Sequence, residues 1–388
     1  MVMRSLGIDA TNVGLGGGTT HLVEILKHFS LKNNNFLKIY VFSSDKVLNQ
    51  IDDFEALVKI RSPYLNGSLL KRIFFQFFIF DKLLFKNCDI LFSITGDYIG
   101  SFRPIVGMSR NMLLYDKKIV SEINSLSQKI KFKLSFYRQK RSFENSIGVI
   151  FISKIARELG SKLIDLNSKN ISLIHHGIST KFSNSPKDQR SIEDYSYTNP
   201  FQFLYVSTIH MYKHQWNVIK AIGDLRDEGY PIALVLVGGS IFSPAEILLT
   251  KTLKQVDPKG EFVNWKGHID YSEIQNIYKN IDGIIYASTC ENMPNILLES
   301  MSSGTAIACS QTQPMPEFLK NSGFYFDSYS IESIKKALVF MLNHPEIRKQ
   351  YIFDNQKQVK EYSWDKTSNE TFDFILSCFH KFNNNVQE

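Results

Sequence analysis

Two glutamates eight positions apart, Glu291 and Glu299, are the residues whose type and spacing most directly suggest chemistry in this chain. They bound the stretch Glu291-Asn-Met-Pro-Asn-Ile-Leu-Leu-Glu299, which follows the apolar run 283–287 and has the pattern of a buried strand giving way to a helix. Asn292 is placed to cap that helix. Pro294 suits its first turn, where the N–H that proline lacks would be unpaired anyway. The free N–H groups of such a turn point outward and can hold a phosphate. Glu291 then stands on the loop, and Glu299 lies about 7.5 Å beyond Pro294 at a rise of ~1.5 Å per residue. Carboxylates so placed suit opposite ends of a nucleotide carrying a sugar, one at the sugar hydroxyls and one at the ribose diol. The plainer alternative for Glu299 is a solvated or capping acid.

Lys213 lies in Ser207-Thr208-Ile-His210-Met-Tyr-Lys213-His-Gln215, between a strand pattern and a helix pattern. An ammonium on such a loop could neutralise a diphosphate leaving group; it could equally be a surface lysine. Gly16-Gly17-Gly18 falls between the first strand and first helix, where glycines let a backbone approach phosphate closely or simply make a tight turn. It is neither the GxGxxG dinucleotide fingerprint nor a P-loop, which counts against a dinucleotide-dependent oxidoreductase. Cys88, Cys290, Cys309 and Cys378 lack metal-ligand spacing and read as free thiols, and no DxD-type metal triplet occurs.

The elements that position these residues alternate strand and helix. Strands are expected at 4–10, 37–43, 90–94, 105–108 and 148–153, with helices at 20–29 and, rich in phenylalanine, at 68–85. The alternation restarts with strands at 203–207, 232–237, 262–266, 283–287 and 306–310, and a helix at 215–228. The polar segment 183–200, with Pro186 and Pro200, reads as a linker. A length of 388 residues exceeds what one core usually supports, and 43% hydrophobic residues can fill two. Two doubly wound α/β domains are therefore expected, at 1–182 and 201–365, with the substrate in a cleft between them.

Charge divides the chain. Residues 1–180 carry 25 basic and 14 acidic side chains, 25 − 14 = +11, and residues 181–388 carry 20 − 24 = −4. Lys129 to Arg141 holds six basic residues and no acid, alternating with apolar and aromatic ones. That pattern fits a helix lying on anionic lipid, or a solvated helix with a buried aromatic stripe. No nucleic-acid-binding motif accompanies the charge, so nucleic acid is not an expected partner. No run approaches the roughly 20 apolar residues of a membrane span, and the first residues do not form a signal peptide, so a cytoplasmic protein, peripheral on the membrane at most, is expected.

At these motifs the chain resembles the retaining GT-B glycosyltransferases of family 4. Glu291 and Glu299 match that family's E-x7-E motif, and the likeness continues through Leu298-Glu299-Ser-Met-Ser-Ser-Gly304 to Met315-Pro316-Glu317. Phe151-Ile-Ser153-Lys154 and Ile174-His-His-Gly177-Ile178 are similar to its end-of-first-domain signature, Ser207–Gln215 to its phosphate loop, and Trp265-Lys-Gly267-His-Ile269 to its base-binding segment. Tyr362-Ser-Trp364 resembles the start of the final helix, so residues 366–388 are expected to return to the first domain.

The resemblance implies roles. Glu291 binds donor-sugar hydroxyls on the reacting face, Glu299 the ribose, and Lys213 the diphosphate. Asn292, Met293, Asn295, Ile296 and Leu297 contact sugar and β-phosphate through their backbone; Gly267 and Ile269 lie at the base, and Gly17 and Gly18 close over the donor. The departing phosphate helps deprotonate the acceptor, so no metal or other cofactor is implied. Two positions depart from the family pattern: Thr208 stands where an arginine is frequent, leaving Lys213 or His210 to compensate. Arg110 and Asn111 stand where a first-domain histidine is common. The implied activity is retaining transfer from a nucleotide-diphosphate sugar to a saccharide acceptor, lipid-linked through polyprenol diphosphate, in cell-surface polysaccharide synthesis. The alternative is a catalytically silent nucleotide-sugar-binding partner of a transferase.

Overall fold

A computed structural model describes residues 4–14, 16–30, 36–115, 126–240 and 242–387. The chain divides into two compact units, one formed by Met1–Gly177 with Tyr362–Glu388 and the other by Ile178–Glu361. Each is a parallel sheet with helices in its crossovers, as the alternating pattern dictates.

The first unit has seven strands: β1 (Arg4–Asp9), β2 (Phe36–Phe42), β3 (Leu57–Ile60), β4 (Ile90–Ser93), β5 (Ile105–Ser109), β6 (Gly148–Phe151) and β7 (Asn170–Leu173), in the order β3-β2-β1-β4-β5-β6-β7. Strands β4, β5 and β6 are buried along their whole length, which is why they read as continuous apolar runs. The first helix spans Gly17–Lys27, beginning and ending earlier than its apolar spacing suggested. Gly16, at φ +103°, turns the chain sharply enough to start it there. The phenylalanine-rich stretch is one continuous helix, Leu69–Phe74 and Phe80–Asn87 joined by a wide π turn over Phe75–Ile79. Only Phe75 and Phe80 of its five clustered phenylalanines turn into the core, beside Phe42 and Tyr98.

The last helix, Trp364–Gln387, packs into this first unit. Phe372 and Ile375 are fully buried, Ser368 donates to the Ile25 carbonyl at 2.7 Å, and Thr367 donates to that of His175 at 2.7 Å. A Cβ on Gly177 would lie 2.1 Å from the Trp364 nitrogen, so glycine is required where the two segments cross.

The second unit has six strands: β8 (Phe201–Val206), β9 (Ile232–Val237), β10 (Val263–Trp265), β11 (Gly283–Tyr286), β12 (Ala306–Ser310) and β13 (Phe324–Phe326), ordered β10-β9-β8-β11-β12-β13. In both sheets the first strand lies inside and the order reverses beside it, between β1 and β4 and between β8 and β11. Loops beyond the carboxyl ends of the strands diverge at such a switch point and leave a crevice for ligand.

Residues 183–200 are not a free linker. Asn184 and Lys187 donate to the carbonyls of Ser302 and Gly304, Tyr195 donates to Asp282, and the Arg348 side chain donates to Gln189 and the Arg190 carbonyl. The segment is polar because it lies over the surface of the second unit, held by hydrogen bonds. The boundaries consequently fall after Gly177 and before Tyr362, not at 182 and 365.

Candidate active site

The loop after β8 and the loop after β11 meet at the switch point of the second sheet, and each supplies one charge. After Val206 the chain passes through Ser207–His210 into a single 3-10 turn, Met211–Lys213, then through His214 in the left-handed region at φ +52°. Four hydrogen bonds hold this shape. Tyr205 donates to the Lys213 carbonyl at 2.6 Å, Gln215 donates to the Thr208 carbonyl at 3.0 Å, the Thr289 N–H donates to the Tyr212 carbonyl at 2.9 Å, and the His214 ring bonds the Thr289 hydroxyl at 3.0 Å. Two of the four come from the β11 loop, so neither loop sets its geometry alone.

Lys213 is 5% exposed, and an ammonium that deep needs a counter-charge. Its Nζ pairs with Glu291 Oε1 and lies 5.2 and 5.4 Å from the ring centres of Tyr212 and Tyr286, a favourable placement for a cation. Tyr286, at the end of β11, and Ser288, just beyond it, donate to the same oxygen at 2.8 and 2.7 Å. All three donors thus converge on Oε1. Among the described residues none donates to Oε2, which is left to accept hydrogen bonds from a ligand.

Glu299 lies further along the same segment. It is 3% exposed on helix Asn295–Ser302 and accepts a hydrogen bond from Tyr271 at 2.7 Å. Burial raises its carboxyl to about 8, against the partial relief that the Tyr271 hydrogen bond gives. The capping expectation upstream is corrected. The helix starts at Asn295 with Pro294 in the cap position, at φ −80° and ψ 101°, so Asn292 lies two residues before the cap. The reason is the buried turn 292–294, which runs irregularly before the helix can form. Leu297 is fully buried, Asn292 and Met293 are buried, and Asn295 and Ile296 are half-buried.

Gly238 locks three loops together. Its N–H donates to the Gly267 carbonyl at 2.7 Å, and its own carbonyl accepts from the Trp265 indole at 3.0 Å. At φ +142°, a Cβ there would lie 1.9 Å from the Ser207 carbonyl oxygen. Gly267 is also in the left-handed region at φ +67°, and half-buried Ile269 follows in the same loop. Thr208 is exposed at the mouth of the β8 loop. His210 stacks between Tyr212 and Phe242, and burial, with Lys213 nearby, lowers its ring to about 4. The ring is therefore neutral at pH 7 and does not replace the arginine charge missing at Thr208.

In the first unit, Gly17 opens the first helix and Gly18 packs against Val13 and Arg110. Arg110 donates to the Gly17 carbonyl at 2.6 Å; burial lowers its guanidinium to about 10, which leaves it charged at neutral pH. Asn111 instead caps the 3-10 turn Met112–Leu114, accepting from the Leu113 N–H. Sequence reasoning omitted Tyr286, Ser288, Tyr271 and Gly238. The first two are close enough in sequence to Glu291 to have been found. Tyr271 reaches Glu299 from another helix, and nothing local signals it.

With this geometry established, the likeness to other proteins has a place to attach. Residues 187–358 match the family described as Glycosyl transferases group 1. The second unit is a glycosyltransferase group 1 domain. Lys213, Glu291 and Glu299 of the glycosyltransferase domain all fall inside the matched range. One curated relative is O-antigen chain mannosyltransferase B from Escherichia coli, 22% identical over 110 residues. That match spans 28% of this chain and 29% of the relative. Among solved structures, sucrose-phosphate synthase from Thermosynechococcus elongatus superposes with a TM-score of 0.74 at 16% identity, over 97% of this chain and 100% of that one. HepE from Anabaena, solved with UDP and glucose, gives 0.71 at 16% identity over the same shares. These likenesses establish the GT-B fold, with two Rossmann-like α/β units, for the chain around the glycosyltransferase domain.

Proposed function

We propose that the protein is a retaining glycosyltransferase of family 4 that moves a sugar from a nucleotide-diphosphate donor to a saccharide carried on polyprenol diphosphate. The observation that carries the reading is the Lys213–Glu291 pair at the switch point of the second sheet, with Glu291 Oε2 open to a ligand. Once a donor binds, its diphosphate offers Lys213 a second anion. The ammonium then stabilises charge that grows as the sugar–phosphate bond breaks. Glu291 holds the sugar hydroxyls on the reacting face, kept in place by Tyr286 and Ser288. Glu299 and Tyr271 receive the ribose, and the backbone at Gly267 and Ile269 borders the base. Within the first unit, Arg110 fixes the loop of Gly17 and Gly18, the turn that the resemblance assigns to the donor. The departing phosphate takes the acceptor's proton, so no metal or cofactor is required.

The place of the reaction is the cytoplasmic face of the membrane, in assembly of O-antigen, capsule or exopolysaccharide. The partial match to an O-antigen mannosyltransferase supports that setting, and the UDP and glucose bound by HepE support a nucleotide-sugar donor.

Thermal denaturation with UDP, GDP, ADP, dTDP and their sugars tests the reading, because a ligand selective for the native state raises its melting temperature. One base family should shift the transition, and its sugar should be transferred to a lipid-linked acceptor with the anomeric configuration kept. A chelator should leave the rate unchanged. A shift with no transfer to any acceptor favours the silent-partner alternative, and no shift with any nucleotide rejects both.

A further inference from the structure

The first unit turns an apolar stripe outward. Along the helical stretch 69–87, Leu70, Ile73, Phe74, Phe77 and Phe78 follow i, i+3, i+4, i+7, i+8 spacing and are 40–78% exposed, and Phe85 is 61% exposed. This spacing belongs to a buried helix face, yet the opposite side of the same helix already fills the core with Phe75, Phe80 and Leu84. A second stripe lies on helix Leu126–Glu144, where Ile130, Leu134 and Tyr137 are 51–60% exposed. The two helices are neighbours, since Arg138 donates to Gln76 at 3.3 Å. Apolar area that a folded chain leaves uncovered in this way marks an interaction surface.

Charge identifies the partner. Lys71, Lys82 and Lys86 are exposed on the first helix, and Lys129, Lys131 and Lys133 on the second. The acids of these helices are engaged: Asp81 accepts from Tyr98 and Ser101, and Glu144 pairs with Lys140 at 3.0 Å. Among the described residues no carboxylate pairs with any of the six lysines. A second copy of the chain would set two cationic faces against each other, and a nucleic acid offers no layer for the phenylalanines. An anionic bilayer offers both partners at their proper depths, headgroup charge above acyl chain.

We infer that helices 69–87 and Leu126–Glu144 together form a docking face for an anionic lipid bilayer, the apolar stripes entering the headgroup boundary and the lysines reaching the headgroups. The inference stands on the first unit's own surface and does not depend on the donor reading. The face is also wired inward. Gln76 donates to Thr11 at 3.0 Å, Thr11 to Asp9 at 2.7 Å, and Arg138 pairs with Asp97 at 3.2 Å. Asp9 and Ser93, which donates to it, end β1 and β4 at the switch point of the first sheet. The bilayer face is thus hydrogen-bonded to the crevice where this sheet would receive a ligand.

Co-flotation of the full chain with vesicles tests this. Phosphatidylcholine vesicles containing phosphatidylglycerol should bind the protein at least tenfold better than phosphatidylcholine alone. Leu70→Ser with Phe77→Ser and Phe78→Ser, and separately Lys131→Glu with Lys133→Glu, should each weaken that binding by roughly tenfold or more at an unchanged melting temperature. Phe77→Trp, which keeps the stripe, should show a blue-shifted emission relative to the wild type on adding the anionic vesicles, and so reads insertion even where a multiple variant fails to fold. Equal binding to both vesicle types, wild-type binding by the folded variants, or an unshifted emission from the Phe77→Trp protein would overturn the inference. So would self-association through this face without vesicle binding.

Discussion

At the scale of single residues, the site depends on where charge is hidden. Lys213 is paired and nearly inaccessible, so Lys213→Ala should lower turnover by roughly 10²-fold or more, the range found when one preorganised donor to a developing anion is removed. Circular dichroism would show the fold retained; wild-type turnover would remove Lys213 from the chemistry. Glu299 makes a pH prediction. Its folded value of about 8 exceeds the ordinary 4.5 because burial penalises the anion. Its contribution to stability is therefore fully present below about 4.5 and is lost as pH rises toward 8. Melting temperatures between about pH 5 and pH 8.5 should fall less in Glu299→Gln than in the wild type. Asp9, raised to about 6 chiefly by burial, should keep part of the slope in both. Nucleotide affinity should also drop roughly fivefold in Glu299→Gln, the worth of one hydrogen bond of about 1 kcal/mol, and calorimetry reads it. Glu291, Glu299 and Lys213 could be picked out because the flanking strand and helix patterns place Glu291 and Lys213 at strand-to-helix transitions, and the eight-residue spacing ties Glu299 to Glu291. Their supporting tyrosines were not, since Tyr271 and Tyr286 look like ordinary core residues until the fold brings their hydroxyls to a carboxylate.

At the scale of elements, close backbone crossings carry the precision. Gly238→Ala would press a Cβ into the Ser207 carbonyl and strain φ as well, so it should spread the loops after β8, β9 and β10. A loss of about 1–3 kcal/mol in urea unfolding is expected, with weakened nucleotide binding alongside it. Undiminished binding would show that the loops do not need this lock. Interior strands were readable, whereas β3, β7 and β13 were not, and all three lie at sheet edges. Edge strands are half-solvated: β3 is Leu57-Val-Lys-Ile60 and β7 is Asn170-Ile-Ser-Leu173, with neither the apolar run of a buried strand nor enough length for a period. The phenylalanine-rich helix misleads for a related reason. Its outward stripe and its inward one use the same residue types, and only exposure separates Phe77 and Phe78 from Phe75 and Phe80.

At the scale of the molecule, the two units have unequal topological claims on the chain. The second is a continuous segment, 178–361, with its linker-like start folded onto it. Expressed alone it should melt cooperatively and keep its nucleotide response; a fragment that stays unfolded would show that its core is incomplete. The first unit is discontinuous, and removing residues 362–388 takes away Phe372 and Ile375 from its core. A chain ending at Glu361 should therefore lose the first unit's cooperative transition in calorimetry while the second unit's remains. Composition could suggest two domains, whereas the expectation that the first is discontinuous comes only from the resemblance of Tyr362-Ser-Trp364 to the start of a returning helix.

The same return of the final helix sets a timetable during synthesis. After Gly177 is made, another 388 − 177 = 211 residues must be added before the last piece of the first unit exists. At about 5–20 residues per second that is on the order of 10–40 s. Through this interval the sheet made first lacks its closing helix, whereas the segment made second is complete once Glu361 emerges. The order in which the ribosome delivers the two units is thus reversed when they finish folding, and the unit begun first is the one most in need of protection from aggregation.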